Sequence, residues 1–365
     1  MKILHILTDS NIGGAGIYLL NLLKSYDRDA LTMEVVLPAD SRLIPSVKAL
    51  DVPVIEAPHI QDQSFSLKAV HTICHLFKER KPDLVNTHAA FSGRIAAKLL
   101  GIPVVHTRHY CISSFSFKQK LLGHISNFFS TMVIATSPEV ADGLIKTGTN
   151  PFSIVTIFNG VPPVQTLSPE EKAAIRMQYG ISDTAFVVSQ VARLDPVKGH
   201  DHTLDAAKLL ADDPDIVILL AGDGPYENHL RRRIDEESIK NVILTGFVEA
   251  VERIFNITDL QINASFTETT CLALLEGMSL GLPSVATDGG GNPYVIAHES
   301  NGLLVPCGNG EALAQAVLKI KNDSGLYQQF SKGAAKSYHM QFTAEAMAHM
   351  IETLYRSVGT VWKEG

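Results

Sequence analysis

Short apolar runs rich in β-branched residues alternate with stretches whose apolar positions recur every three to four residues, along almost the whole chain. Strands buried on both faces read as continuous apolar runs, and helices that cover them read with the longer period, so the pattern predicts parallel α/β units. In the first half it predicts strands near 2–7, 32–37, 83–87, 103–107, 131–135 and 153–157. A second series predicts strands near 185–191, 216–221, 242–245, 259–263, 283–287 and 302–305. Between the two, Val161-Pro162-Pro163 through Ser168-Pro169 has the composition of a linker, and a charged helical stretch follows from Glu170 to Tyr179. The expected fold is α/β, with two doubly wound Rossmann-like domains facing each other across a cleft. The last helix should start with Thr343 as its N-cap. It carries Met347, Met350, Ile351, Leu354 and Val358 at helical spacing, an apolar stripe that needs a partner surface.

Composition agrees with two packed cores: 365 residues, 45% hydrophobic and 19% charged, exclude a disordered chain. The apolar start Met1–Leu7 is too short for a signal peptide, and no run approaches membrane-spanning length. Cys74, Cys111, Cys271 and Cys307 are too scattered for a Cys-x-x-Cys zinc site or a disulfide framework, which predicts a cytoplasmic protein.

Charge is uneven. Residues 1–160 hold 15 Lys and Arg against 12 Asp and Glu, whereas the remainder holds 16 against 26. From Leu84 to Pro138 there is no carboxylate, while Arg94, Lys98, Arg108, Lys118 and Lys120 fall there. Such a face would draw an anionic acceptor or an anionic membrane, or it is a solvated helix surface; both readings stay open. The segment from Phe115 to Phe129 mixes basic residues with Phe and Leu. It could lie on the inner face of a membrane, although ordinary core packing accounts for it too.

Candidate chemistry concentrates between Ser265 and Pro283, where Glu268 and Glu276 are eight positions apart. The neighbours of Glu276 (Leu272, Leu274, Leu275, Met278 and Leu280) leave no polar face, so this helix should be buried. A buried carboxylate needs donors, and the diol of a ribose would supply them. Thr269 to Leu272 should begin the helix, with backbone N–H groups suited to a diphosphate. Glu268 should lie at a strand end just before that helix, where a carboxylate can stabilise a developing cation or simply favour the helix dipole. Arg193 and Lys198 flank a turn after an apolar strand and suit a diphosphate, unless they are surface cations paired with Asp195 or Asp201. His109 follows a strand of the first half, and His88 follows another as expected lining on the acceptor side. Gly14, in Gly13-Gly14-Ala15-Gly16, would let backbone amides approach a phosphate or the acceptor. Leu19 in place of the third glycine argues against a dinucleotide fingerprint. The two Asp-x-Asp sequences, Asp27-Arg28-Asp29 and Asp213-Pro214-Asp215, fall where turns are expected, so no metal is predicted.

Taken with Ser265, Gly281-x-Pro283 and Gly289-Gly290-Gly291, the Glu268-x7-Glu276 spacing resembles the signature of retaining glycosyltransferase family 4. Gly13-Gly14, Thr107-Arg108-His109, Asn159-Gly160-Val161, Arg193 through Gly199 and Gly222-Asp223-Gly224-Pro225 occur in that family's order. The resemblance implies the GT-B architecture. Residues 1–163 with a crossing-back helix at 345–365 would bind the acceptor, and 164–344 the nucleotide sugar. It implies retaining, metal-independent transfer of a hexose from a nucleotide-diphosphate sugar, UDP ahead of GDP or ADP. The acceptor would be a saccharide or lipid-linked glycan of bacterial-type cell-envelope or polysaccharide synthesis, with no cofactor and no nucleic acid. Glu268 and His109 would be catalytic; Arg193, Lys198, Glu276, Gly14, Thr270, Cys271 and Leu272 would hold the donor. The chain departs from the family in three places: Thr269-Thr270-Cys271 replaces Gly-Phe-Gly, Tyr294 replaces a glutamate and Pro162 an aspartate. A sugar-nucleotide-binding protein without transferase activity and a GT-B-type epimerase are the alternatives.

Overall fold

In the computed structural model, which describes residues 1–10, 12–61, 65–111 and 116–364, the chain divides into two compact units. One is Met1–Val161 with Thr343–Gly365, and the other is Pro162–Phe342. Each contains one all-parallel sheet. In the first, β1 (Lys2–Leu7), β2 (Thr32–Pro38), β3 (Val54–Ala57), β4 (Leu84–His88), β5 (Val104–Arg108), β6 (Met132–Ala135) and β7 (Ile154–Thr156) run in the order β3-β2-β1-β4-β5-β6-β7. In the second, β8 (Phe186–Val191), β9 (Ile216–Ala221), β10 (Val242–Gly246), β11 (Leu260–Asn263), β12 (Ser284–Thr287) and β13 (Gly302–Val305) run β10-β9-β8-β11-β12-β13. Both orders reverse once, between β1 and β4 and between β8 and β11. At such a switch point the following helices leave to opposite faces, and the carboxyl ends of the strands open onto a ligand crevice. His88 ends β4, and Ser265 and Glu268 follow β11 directly.

All twelve expected strands are present, and the first sheet has a seventh that the pattern missed. β3 is an edge strand of four residues with Glu56 exposed and Val54 and Ile55 half-buried. Four positions give too little alternation to separate a strand from a loop.

The last helix, Ala344–Glu364, belongs to the first unit. Thr343 caps it, its hydroxyl accepting from Ala346 N–H at 3.1 Å. Met347, Ile351, Leu354, Tyr355 and Val358 are buried in one cluster with Ile3, Leu19, Leu22 and Leu23. Each such side chain contributes about 1.5–3 kcal/mol over exposure, an upper estimate because unfolded chains are partly compact. Met350, expected in the stripe, is instead exposed. It stands one position before Ile351, about 100° further round the helix and off the buried face. The Asn-Gly-Val motif helps to anchor the crossing. Asn21 donates to the Gly160 carbonyl at 3.0 Å, and the Ala344 N–H donates to the Val161 carbonyl at 3.0 Å.

The helix Phe117–Phe128 exposes Leu121, Ile125 and Phe128, which recur at i, i+4 and i+7 and so share one face. Phe115 and the side chain of Lys118 lie outside the described residues. No helix among the described residues is long and apolar enough to cross a membrane.

Candidate active site

In the second unit the loops that leave β8 and β11 meet. The Phe266 N–H donates to the Val197 carbonyl at 2.9 Å, which brings the turn after β8 against the loop after β11. Gly199 closes that turn with φ +68°, and a side chain there would collide with the Ala264 carbonyl, so the position calls for glycine on two grounds. This register puts Lys198 Nζ 2.7 Å from Glu268 Oε1. The Ser265 hydroxyl donates to the same oxygen at 2.8 Å. Gln190 steadies the lysine from behind, its Nε2 donating to the Lys198 carbonyl at 2.8 Å while its Oε1 accepts from Thr203 at 2.5 Å.

Glu268 is held from the other side by the glycine triplet. Gly291 N–H donates to the Glu268 carbonyl at 2.9 Å. Side chains at Gly290 or Gly291 would overlap the backbone of Glu268 and Thr269. The triplet therefore fixes the main chain that carries the carboxylate.

The alternative reading, in which Arg193 and Lys198 pair with Asp195 or Asp201, is not what the structure shows. Lys198 pairs with Glu268; Asp201 accepts from Tyr226, His229 and Arg233. Arg193 is exposed and makes no hydrogen bond or ion pair among the described residues. Burial pushes the Lys198 ammonium down, but the Glu268 carboxylate and, more weakly, Cys271 and Asp195 outweigh it, so its pKa is raised. Lys198 is a cation throughout the neutral range. The Cys271 thiol is pushed up to about 12 by burial first and by Glu268 second. It is a neutral, non-nucleophilic group at neutral pH.

Two expectations for this loop and helix need correction. The helix starts at Leu272, not in Thr269–Leu272 as a whole, with Cys271 as N-cap and no side-chain cap on its first turn. Thr269 and Thr270 belong to the loop, where Gly291 packs closely against the Thr269 backbone. The helix is also not buried all round. Leu274, Leu275 and Met278 face the core, while Leu272, Ala273, Glu276 and Ser279 are half-buried. Glu276 thus sits at the rim of an amphipathic helix whose rim is partly apolar.

The first unit brings together histidines that the sequence separates by many residues. His88 Nδ1 lies 2.8 Å from His109 Nε2, and His88 Nε2 lies 3.2 Å from His5 Nδ1. Register explains this: His5 and Leu7 of β1 pair with Asn86 and His88 of β4, and β4 pairs with β5, which His109 follows immediately. His88 is fully buried, so it does not line an acceptor surface as expected; His109 is half-buried. Burial pushes the His109 imidazole down to about 3, with Arg108 adding to the effect, and drives His88 well below the usual range. Asn86 beside them donates to the Tyr355 hydroxyl at 2.5 Å and accepts from Thr107 at 3.1 Å. Sequence reasoning missed His5 altogether. The signal was present as a lone polar residue inside the apolar run Ile3–Leu7, which reads as ordinary strand until its partner is known.

Gly14 opens the helix Gly14–Ser25, and a side chain at that position would meet no atom of the described residues within 4 Å. The packing glycine is Gly16, against Leu43. Both Asp-x-Asp sequences form turns: Asp27 accepts from Asp29 and Ala30 N–H groups, and Asp213 accepts from Asp215 N–H and Lys321.

Arg94 and Arg108 are a further pair of cations in the carboxylate-free stretch. Arg94, 5% exposed, donates to Ser126 at 2.5 Å and lies over the Phe91 ring; Arg108 stacks on Tyr110 at 3.6 Å. Neither has a carboxylate partner among the described residues, and the buried Nε of each is unpaired.

Comparison with known proteins agrees with this architecture. The profile described as Glycosyltransferase Family 4 matches residues 12–165, and that described as Glycosyl transferases group 1 matches residues 171–337. A relative from Escherichia coli, UDP-Gal:alpha-D-GlcNAc-diphosphoundecaprenol alpha-1,3-galactosyltransferase, is 29% identical over 79% of this chain and 79% of its own. N-acetyl-alpha-D-glucosaminyl L-malate synthase from Bacillus anthracis is 23% identical over 87% of this chain and 86% of its own. The crystal structure of Anabaena HepE in complex with UDP superposes with a TM-score of 0.86 at 25% identity, covering 98% of this chain and 100% of that one. Sucrose-phosphate synthase from Thermosynechococcus elongatus shares the fold, with a TM-score of 0.80 at 19% identity over 99% of this chain and 100% of its own. With both domains matched and two Rossmann-like sheets of the GT-B kind, the chain belongs to the family 4, group 1 glycosyltransferases.

Proposed function

We propose that this chain transfers a hexose from a UDP-sugar, with retention of anomeric configuration and without a metal, to a lipid-linked or free saccharide of bacterial-type envelope glycan synthesis. The observation that carries the reading is the Lys198–Glu268 pair at the carboxyl end of the β8/β11 switch, with exposed Arg193 at the start of the turn that carries Lys198. Lys198 and Arg193 neutralise the leaving diphosphate as its charge grows, the role a metal would otherwise serve. The first turn of the Leu272 helix, with Thr270 and Cys271 before it, donates backbone N–H groups to the same phosphates. Glu276 takes the ribose diol, Glu268 stabilises the sugar cation, and His109 bonds a sugar hydroxyl. In the first domain Gly14 leaves room for a ligand to approach the backbone. Buried Arg94 and half-buried Arg108, without counter-ions among the described residues, favour an acceptor that brings an anion, since unpaired buried cations are costly. The names of the Escherichia coli relative and of the HepE complex favour UDP and a lipid-diphosphate-linked acceptor.

One set of measurements tests this. With EDTA present, UDP-hexoses and polyprenyl-diphosphate-linked saccharides should give a product whose new bond keeps the donor's anomeric configuration. Calorimetric titration should show UDP binding weakened in Glu276→Ala. Tight UDP binding with no transfer would favour a binding protein, and conversion of the free sugar nucleotide an epimerase; absence of UDP binding would sink the reading.

We also propose that the exposed face of Leu121, Ile125 and Phe128 rests on anionic lipid, with Lys98 and Lys120 facing the headgroups. Lys98 Nζ already lies 4.9 Å from the Phe128 ring centroid, so apolar and basic groups adjoin as in interfacial helices. Flotation with vesicles containing anionic lipid should recover the protein, and Ile125→Glu should abolish recovery. Equal flotation on neutral vesicles would contradict the electrostatic part.

A further inference from the structure

We propose that His88, itself held by His5, is a positioning residue that locks His109 in the tautomer with its proton on Nδ1. The proposal rests on the reading of His109 as a site residue, and it deepens that reading by stating what the imidazole can do.

His88 has both ring nitrogens engaged by histidines, Nδ1 with His109 Nε2 at 2.8 Å and Nε2 with His5 Nδ1 at 3.2 Å. A neutral imidazole has one N–H and one lone pair. The two bonds must therefore run in the same sense, and the tautomers of all three rings are linked. Burial makes the neutral forms the relevant ones at pH 7, since all three groups are held far below their ordinary range.

Two senses are available. Running inward, His109 Nε2–H donates to His88, His88 donates to His5, and His5 must place its own N–H on Nε2. That nitrogen is buried, in a fully buried residue, and has no partner among the described residues. Buried N–H groups without a partner are rarer, and so the costlier outcome, than acceptors with an unused lone pair. Running outward, His5 Nδ1–H donates to His88 Nε2, and His88 Nδ1–H donates to His109 Nε2. The core then holds only an unused lone pair, and the remaining proton of His109 sits on Nδ1. The outward sense is the one that leaves no buried donor stranded.

The rings are fixed as well as their protons. His5 and His88 stack at 5.5 Å with 19° between planes, and His88 and His109 at 5.1 Å with 20°. The Tyr18 ring meets His109 edge-on at 4.8 Å. The row is not a proton wire, because its inner end leads to no further partner. It is a device for orientation. With Nε2 filled by His88, His109 has one nitrogen left for a ligand, and that nitrogen is a donor. His109 therefore gives a hydrogen bond to a hydroxyl or developing oxyanion and does not serve as a base while neutral.

Long-range 1H–15N correlation spectra of the full chain with 15N-labelled histidine test this at pH 7, His109→Gln providing the assignment. The expected result is a protonated Nδ1 and an unprotonated Nε2 for His109. In His88→Phe, which keeps the stack but removes both nitrogens, the His109 signals should move toward the Nε2–H form. Transfer activity should fall by about 10- to 100-fold, as for other outer supports of a reacting group. His5→Leu, read in the same spectra, serves if His88→Phe fails to fold. A protonated Nε2 on His109 in the wild type, or an unchanged Nδ1–H tautomer in the folded variant, would overturn the proposal. If instead His109→Gln retains full activity while the tautomer is as stated, the site role of His109 fails and the tautomer lock stands.

Discussion

Lys198→Ala is expected to lower kcat/KM for transfer by about 10²–10³-fold, the loss that follows removal of one preorganised charge-stabilising group. Two effects combine. The variant loses the cation that meets the departing diphosphate, and it leaves Glu268 without the ammonium now 2.7 Å away. Breaking a fully buried pair costs about 3–5 kcal/mol, and the cost here should be smaller because 24% of the Lys198 side chain is exposed. Comparing kcat/KM with the unfolding midpoint of the same protein separates the two. Lys198→Arg should restore the charge but only part of the rate, since a planar fork does not replace a point charge. An alanine variant within about threefold of wild type would remove Lys198 from the mechanism. The folded-state pKa of Lys198 is raised. The stability it brings is therefore complete below the ordinary lysine value of about 10.4 and is lost only as pH rises through the higher folded value.

The second large effect is acid lability of the first domain. His5, His88, His106 and His109 are all depressed by burial, His5 and His109 to about 3. Arg94 and Arg108 add to the effect at His106, and Arg108 at His109. The sign follows from linkage. The unfolded chain binds protons at these sites below about pH 6.5 while the folded chain does not, so the stability is complete above that pH and drains away as pH falls toward the folded values. Each site is worth about 1.4 kcal/mol per pH unit in this window, and four together about 5 kcal/mol per unit. Against a typical total of about 5–15 kcal/mol, unfolding near pH 5 is expected. Near-UV circular dichroism during acid titration should show it, and His5→Leu should shift the midpoint to lower pH. A midpoint below about pH 3.5 would mean that the histidines are not neutral and buried.

Much of this was legible in the sequence because parallel strands announce themselves as apolar runs. β3 did not, since Val54–Ala57 is short, lies at an edge and carries exposed Glu56. Met350 was misplaced because a list of apolar residues does not say which of two adjacent positions faces the core. The lysine and glutamate motifs were visible separately, but their pairing depends on Gly199 and on the Phe266–Val197 hydrogen bond, long-range facts of register. His5 and His88 were invisible as a pair for the same reason: 83 positions separate them along the chain, whereas parallel pairing of β1 and β4 puts them 3.2 Å apart.

The first domain is assembled from two stretches of chain separated by the whole of the second. During translation, Leu19, Leu22 and Leu23 emerge long before the residues that cover them, Met347, Ile351 and Tyr355. The second domain, one uninterrupted stretch, has all its parts first. A nascent chain therefore passes through an interval in which its later lobe is complete and its earlier lobe shows an uncovered greasy seam. Ribosome-associated chaperones have the most to protect in that interval, and a nonsense codon just after residue 342, which completes the later lobe but deletes the last helix, would prolong it indefinitely.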